Sequence, residues 1–121
     1  MMKKLIIMCL LFVLAHFASA QTCVYFCRNT GALGYSVGND RTCTNAYNLC
    51  ISAGGTYPQV ILSTGKLGYG ALAVGYDNYG NRVVGVSAGF TNAYDAKIAA
   101  INSCANSGGY NVYIHDTWYD Y

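Results

Sequence analysis

The spacing of apolar, polar and glycine residues predicts short strands arranged around two helices. Along 69–76, Leu72 and Val74 share one face while small residues take the other, which is the period of two expected for a strand. Alanine, isoleucine and cysteine residues recur at helical spacing between 93 and 104 and form one apolar stripe. Strands are predicted over 23–27, 32–38, 57–63, 69–76, 82–90 and 110–115, with helices over 41–53 and about 92–107.

Capping and turn residues separate these elements. Asn or Asp at 39–40 and Thr or Asn at 91–92 are predicted to cap the helices, because their side chains accept hydrogen bonds from unpaired backbone amides. Gly-Gly pairs at 54–55 and 108–109 are expected to end both helices, since glycine adopts the left-handed conformation without penalty. The Asp-Asn-Tyr-Gly-Asn sequence at 77–81 is typical of a hairpin turn.

Two stretches of the chain share one motif. Gly-x-Ser-x-Gly occurs at 34–38 and 85–89, and Cys-x-x-x-Gly-Gly occurs at 50–55 and 104–109. Thr-Asn-Ala-Tyr also occurs twice, but it begins six residues before the cysteine in the first copy and thirteen before it in the second. The helix ends are therefore the firmer anchor for aligning two strand-strand-helix-strand repeats.

This pattern predicts an α+β fold. Half of a duplicated unit would leave one face of its sheet bare, so the copies are expected to share one mainly antiparallel sheet, or to exchange strands, with both helices covering it. The predicted domain covers 21–121, with repeat one over about 22–63, repeat two over about 69–115 and an aromatic tail over 116–121.

The second repeat resembles a known bacterial family. The residues are Tyr69-Gly70-Ala71-Leu72-Ala73-Val74, Gly85-Val86-Ser87-Ala88-Gly89, Ala93-Tyr94-Asp95-Ala96, Ala100, Cys104 and Gly108-Gly109. This stretch, from about Gly68 to Trp118, resembles the secreted family called domain of unknown function 4189. Many of its members place a cysteine in the strand after the helix, where this chain has Asn111, Val112 and Tyr113. The resemblance implies a secreted α+β module and no particular chemistry.

The first twenty residues have the features of a cleaved secretory signal peptide. Lys3 and Lys4 precede an apolar run over 5–15, and Ala18-Ser19-Ala20 supplies the small residues of a cleavage site. This apolar run is shorter than the ~20 residues that a membrane-spanning helix needs. We therefore expect a secreted or periplasmic protein with no membrane span after cleavage.

The predicted exported chain carries almost no net charge. Five basic residues balance five aspartates, and glutamate is absent. A nucleic-acid-binding protein usually carries a basic patch to neutralise phosphates, so nucleic acid is not an expected partner. His115 is the one histidine beyond residue 20, and we expect neither a metal site nor a cofactor.

Five cysteines remain after residue 20, in a compartment where disulfides form. Cys23 and Cys27 lie on one face of a predicted strand, about 13 Å apart. Cys43 and Cys50 lie on one face of a predicted helix, about 10 Å apart. We expect the strand pair to bond the helix pair, in either order. Cys104 is then a buried free thiol, unless it bonds another chain or replaces a member of the strand pair.

No catalytic set is evident from the sequence. Serine-type hydrolysis needs a nucleophile, a base and a group that orients the base, but His115 and Asp116 are neighbours and should point to opposite faces of a strand. Ser36 and Ser87 lie inside predicted strands rather than at a strand-turn-helix elbow. A Cys104–His115 pair is the remaining combination, and we do not expect an enzyme.

Tyrosine is unusually abundant, with twelve residues, and it combines apolar area with a hydrogen-bonding tip. We expect an exported binding or interaction module of the cell envelope or extracellular space, whose partner is a protein or else a glycan. The alternatives are a small secreted hydrolase using His115 and a surface protein that self-assembles through strand edges. The candidate contact residues are Tyr110, Tyr113, Trp118, Tyr119 and Tyr121.

Overall fold

A computed structural model describes residues 21–38 and 41–121, and within these ranges the chain forms six strands and two helices. The elements are β1 (Thr22–Phe26), β2 (Leu33–Val37), α1 (Thr42–Ser52), β3 (Gln59–Thr64), β4 (Gly68–Tyr76), β5 (Arg82–Phe90), α2 (Ala93–Asn106) and β6 (Tyr110–Asp120). The predicted signal peptide at 1–20 and the predicted cap at 39–40 lie outside the described residues. Neither helix in the described ranges is long and apolar enough to cross a membrane.

The strands form two antiparallel sheets of three strands each, which confirms an α+β fold with antiparallel sheets. The order is β2-β1-β3 in the first sheet and β5-β4-β6 in the second. The prediction of one shared sheet is therefore wrong, and the described strands are not exchanged between the halves. After each helix, the third strand returns to the free edge of the first strand, which completes a ladder within that half.

Each helix covers one face of its own sheet. A Cβ at Gly34 of β2 would run into the carbonyl oxygen of Ala46, and a Cβ at Gly85 of β5 would run into that of Ala100. Glycine at these positions therefore allows the helices to lie close to the strands. The buried helical residues repeat every four positions: Thr42, Ala46 and Cys50 in α1, and Ala96, Ala100 and Cys104 in α2.

The faces that point away from the helices pack against each other. Val24 and Leu72 are fully buried on these inner faces. Tyr35 pairs with Val24 in register and Asp116 pairs with Leu72, so both belong to the inner faces as well. The Tyr35 hydroxyl donates a hydrogen bond of 2.8 Å to the Asp116 carboxylate across the layers. The order of layers is therefore helix, sheet, sheet, helix.

The last strand is longer than predicted. β6 continues to Asp120 and pairs with β4 from Tyr76 back to Gly68, so the separate aromatic tail predicted over 116–121 is corrected. The backbone pairing continues past residue 115 because the edge of β4 extends as far as Gly68 and offers partners to the last residues of β6. His115 is the extra residue of a bulge, since Leu72 faces Asp116 while Ala73 faces Ile114.

The N-terminus of α2 and the β4–β5 hairpin follow the predicted chemistry, whereas the N-terminus of α1 does not. The Asn92 side chain caps α2 by accepting a hydrogen bond of 2.8 Å from the Asp95 amide. The N-cap position of α1 is Arg41 rather than residue 39 or 40, and its side chain makes no capping hydrogen bond. In the β4–β5 turn, the Asp77 carboxylate accepts hydrogen bonds of 2.9 Å from the amides of Tyr79 and Asn81.

Candidate functional site

A disulfide between Cys23 and Cys43 joins β1 to α1, with 5.1 Å between the two Cα atoms. This bond is one of the pairings predicted from the spacing of the cysteines. It lies beside β3, where the Ser63 hydroxyl lies 3.4 Å from the Cys43 sulfur and is positioned to donate a hydrogen bond to it. Disulfides of this kind are typical of oxidising compartments.

Cys27 and Cys50 are buried thiols in the same small cluster, together with Ala32. The Cys27 amide donates to the Ala32 carbonyl oxygen at 2.9 Å, and the Cys50 thiol donates to the same oxygen at 3.5 Å. The Cys27 sulfur lies 3.7 Å from the Thr56 hydroxyl. The sequence predicted a second disulfide in this region, and the structure places Cys27 and Cys50 close together as free thiols.

Cys104 is buried in the core between α2 and the second sheet. Its thiol donates a hydrogen bond of 3.4 Å to the Val83 carbonyl oxygen. A Cβ at Gly109 would lie 2.8 Å from the Cys104 sulfur, and a Cβ at Gly55 would lie 3.0 Å from that of Cys50. Both helix-end cysteines thus fill the space under a returning Gly-Gly turn, while burial raises the pKa of the Cys104 thiol.

His115 does not meet Cys104 in the way that a thiol-based catalytic pair requires. The exposed His115 ring contacts Tyr35 edge-on at 6.1 Å, whereas Cys104 is buried beneath α2. Asp116 uses its carboxylate to accept the hydrogen bond of Tyr35. Among the described residues, no group of three or more histidine, cysteine and acidic side chains could hold a metal ion.

The C-terminal aromatic residues lie in different environments. Trp118 is half-buried between the sheets and stacks on Tyr35, with 6.0 Å between ring centroids. Tyr119 packs edge-on against Tyr69 at 4.8 Å, and Tyr121 stacks on Tyr119 at 5.7 Å. Tyr110 and Tyr113 are exposed near the other end of β6. Trp118 is therefore an internal contact, while the four tyrosines remain accessible.

The structure shows an apolar surface that sequence reasoning missed. We call it the β3 flank and define it as the exposed side chains Tyr47, Ile51, Val60 and Ile61 beside Tyr25. Tyr25 and Tyr47 contact edge-on, with 5.5 Å between ring centroids. Val60 is 52% exposed and Ile61 is 40% exposed, although both belong to an apolar strand.

The β3 flank exists because the two helices cover their sheets unequally. The 11-residue α1 packs mainly on β2 and β1, whereas the 14-residue α2 packs on β5, β4 and β6. Ile114 of β6, opposite Ala73, packs into the core under α2. Val60 has the matching position in β3, opposite Tyr25 and next to an equivalent bulge, and it stays exposed.

A groove of about 640 Å³ lies on the other side of β3, between the edges of the two sheets. Phe26, Leu62 and Val84 line its apolar part, and Arg28, Arg82 and Asp77 supply its charged side chains. The Arg82 Nη1 donates to the Gly31 carbonyl oxygen at 3.1 Å, while its buried Nε has no partner among the described residues. Ile61 borders both this groove and the β3 flank.

Comparison of the chain with protein-family models, curated proteins and solved structures finds no match. The candidate functional features are therefore the cysteine cluster, the β3 flank and the groove.

Proposed function

We propose that this protein is an exported binding module of the cell envelope or extracellular space, and that a protein partner docks along the edge of β3. The partner contributes an extended segment that pairs with β3 and covers the β3 flank. Strand addition of this kind takes its affinity from main-chain hydrogen bonds and its specificity from side-chain contacts on either face.

The single observation that carries the proposal is the exposure of apolar side chains on an edge strand. β3 is the last strand in the order β2-β1-β3, so one side of its backbone faces away from the sheet. Edge strands in soluble proteins are usually protected by charged residues, proline or a covering element, and the Gln59–Thr64 sequence has no charged residue or proline. Large apolar side chains left exposed together at such an edge are typical of an interaction site.

The groove supports the same location. A segment paired with β3 would have Val60 and Ile61 on one side and the groove near Leu62 on the other. Two arginines, Arg28 and Arg82, and one aspartate, Asp77, line the groove, so its net positive charge would favour a partner segment with a carboxylate nearby.

We further propose that the two halves descend from one duplicated unit, related to the family that the second half resembles. Both halves have the element order strand-strand-helix-strand and the same strand order within their sheets. The buried thiols of Cys50 and Cys104 donate to equivalent carbonyl oxygens, those of Ala32 and Val83, each two residues before the glycine that contacts the helix. In this interpretation the first half lost helix coverage of its third strand and gained a docking edge.

Affinity capture from envelope extract, with the chain lacking residues 1–20 as bait, tests the docking site. Replacement of Ile61 by Lys would place a charge in the proposed contact and should lower capture of a specific partner by about tenfold or more, the size of a hot-spot effect. The matched control is Tyr79→Lys, because Tyr79 is 90% exposed on the β4–β5 turn. Hydrogen exchange of the captured complex should show added protection at the β3 amides.

Two outcomes would contradict this assignment. Capture that survives Ile61→Lys but is lost on replacement of Tyr110 and Tyr113 by Ser would move the contact to β6. Light scattering that shows growing assemblies of the purified chain, abolished by Ile61→Lys, would favour self-assembly through the same edge.

A further inference from the structure

Cys27 and Cys50 lie in one buried cluster as free thiols. The Cys27 amide and the Cys50 thiol share the Ala32 carbonyl oxygen, at 2.9 and 3.5 Å. The Gly55–Thr56 turn touches both side chains, since a Cβ at Gly55 would lie 3.0 Å from the Cys50 sulfur and the Thr56 hydroxyl lies 3.7 Å from the Cys27 sulfur. The thiol of Cys27, directly after β1, and the thiol of Cys50 in α1 therefore lie together under one turn.

The second half shows what a side chain at the position of Cys27 meets. Tyr25 faces Gly34 in the first sheet and Ala73 faces Gly85 in the second, so Cys27 and Gly75, two residues further on, occupy matching places. A Cβ at Gly75 would lie 3.2 Å from the Cys104 sulfur. A Cβ at this place in the fold is thus adjacent to the helix-end sulfur, and only the first half has a second cysteine there.

The surroundings of the two thiols differ in a way that suits disulfide exchange. Hydrogen bonds from the Thr30 side chain and from the backbone at Tyr57 and Thr56 lower the pKa of the Cys27 thiol to about 6. Burial, and then the charge of the nearby Cys27, raise the pKa of the Cys50 thiol. Cys27 therefore forms a thiolate more readily near neutral pH, while Cys50 remains a protonated thiol.

Cys27 also lies at the edge of the accessible chain. It follows the last residue of β1 and precedes the exposed residues Arg28, Asn29 and Thr30. Its sulfur contacts the exposed Thr56. Local opening of these two turns, without unfolding of a strand or helix, would let a small disulfide reach the sulfur.

We propose that Cys27 and Cys50 form a redox-active dithiol that exchanges with small disulfides, with Cys27 as the attacking sulfur and Cys50 as the resolving sulfur. The Cys27 thiolate attacks one sulfur of oxidised glutathione, which forms a Cys27–glutathione mixed disulfide and releases one glutathione thiolate. Cys50 loses its proton to solvent and attacks the Cys27 sulfur, which forms the Cys27–Cys50 disulfide and releases the second glutathione thiolate. Two protein thiols are oxidised and one small disulfide is reduced to two thiols.

The test is equilibration of the folded chain lacking residues 1–20 in a series of glutathione buffers, followed by acid quenching, alkylation and peptide mass mapping. Cys27 and Cys50 should pass from two alkylated thiols to one disulfide as the buffer becomes more oxidising. Cys104, which has the same helix-end position without a neighbouring cysteine, should stay alkylated throughout, and Cys23–Cys43 should stay bonded. Cys27 and Cys50 that keep one state across all buffers would overturn the proposal.

Two variants test the order of attack. Cys50→Ser removes the resolving sulfur and should accumulate the Cys27–glutathione mixed disulfide, while Cys27→Ser should leave Cys50 unmodified. The matched control Cys104→Ser should change neither result. Equal glutathione labelling of Cys50 and Cys104 in the Cys27→Ser variant would assign the reactivity to the helix ends in general and contradict the proposed role of Cys27.

Discussion

Tyr35 links the two sheets through both its ring and its hydroxyl. The ring stacks on Trp118 at 6.0 Å, and the hydroxyl donates to the Asp116 carboxylate at 2.8 Å. Tyr35→Phe keeps the ring but removes the donor, so we expect a loss of about 1.5 kcal/mol in the free energy of unfolding, the size of a hydrogen bond to a charged group. Urea unfolding measures this, with Tyr79→Phe on the exposed turn as a control that should change little.

The contribution of the Tyr35 hydroxyl should also depend on pH. Burial, and then the hydrogen bond and charge of Asp116, raise the pKa of Tyr35 to about 12. Because the folded state favours the neutral hydroxyl, its contribution is complete below the unfolded pKa of about 10 and is lost as pH rises towards 12. The difference between the original chain and Tyr35→Phe should therefore be constant from neutral pH to about pH 10 and shrink above it. A difference that grows with alkaline pH would contradict this account.

The contacts between each helix and its sheet depend on single glycines. A Cβ at Gly85 would run into backbone atoms of Ala100 and Cys104 in α2, which cannot move without shifting the helix. Gly85→Ala should therefore cost about 3 kcal/mol of unfolding free energy through overpacking. Chemical denaturation measures this cost.

The variant Gly38→Ala measures the free-energy cost of an unfavourable backbone conformation without any steric overlap. Gly38 has a φ of 89°, and a Cβ added there would meet open space, so alanine should cost about 1 kcal/mol through conformation alone. A Gly85→Ala variant no less stable than Gly38→Ala would show that α2 can retreat from the sheet at little cost.

The elements themselves were largely predictable from local pattern. Alternation and Gly-Gly signals placed every strand and helix, because side-chain periodicity and left-handed glycine turns act within a few residues. The Thr-Asn-Ala-Tyr repeat misleads, since Tyr94 lies in the first turn of α2 whereas Tyr47 lies in the middle of α1. The length of β6 was not visible, because its last residues depend on the free edge of β4 rather than on their own pattern.

The whole molecule is held together across the two inner faces. Thr22 in the first strand donates a hydrogen bond of 2.7 Å to Asp120 in the last, and both residues are buried. A double-mutant cycle with Thr22→Val and Asp120→Asn should give a coupling energy of about 1.5 kcal/mol or more, as expected for a buried hydrogen bond to a carboxylate. Additive single effects would mean that Asp120 is satisfied by other groups and that this contact does not join the halves.

The candidate sites needed the assembled fold. Spacing alone predicted that Cys23 and Cys27 could bond with Cys43 and Cys50, because the geometry of a strand and of a helix is local. The Cys23–Cys43 bond is one of the predicted pairings. The exposure of Val60 was not predictable, since Val60 has the same apolar character as Ile114, which packs under a helix at the matching position. Only the unequal reach of α1 and α2 separates them.

The periodicity of the sequence determined the local structure of this chain. Interactions between residues close in sequence decide where strands lie, where helices end and which cysteines share a face. The number of sheets, the packing of Trp118 against Tyr35 and the exposed edge of β3 depend on contacts between residues far apart in sequence, such as Tyr35 with Asp116. Such contacts form only when whole faces meet, and two faces of similar composition can end either buried or exposed.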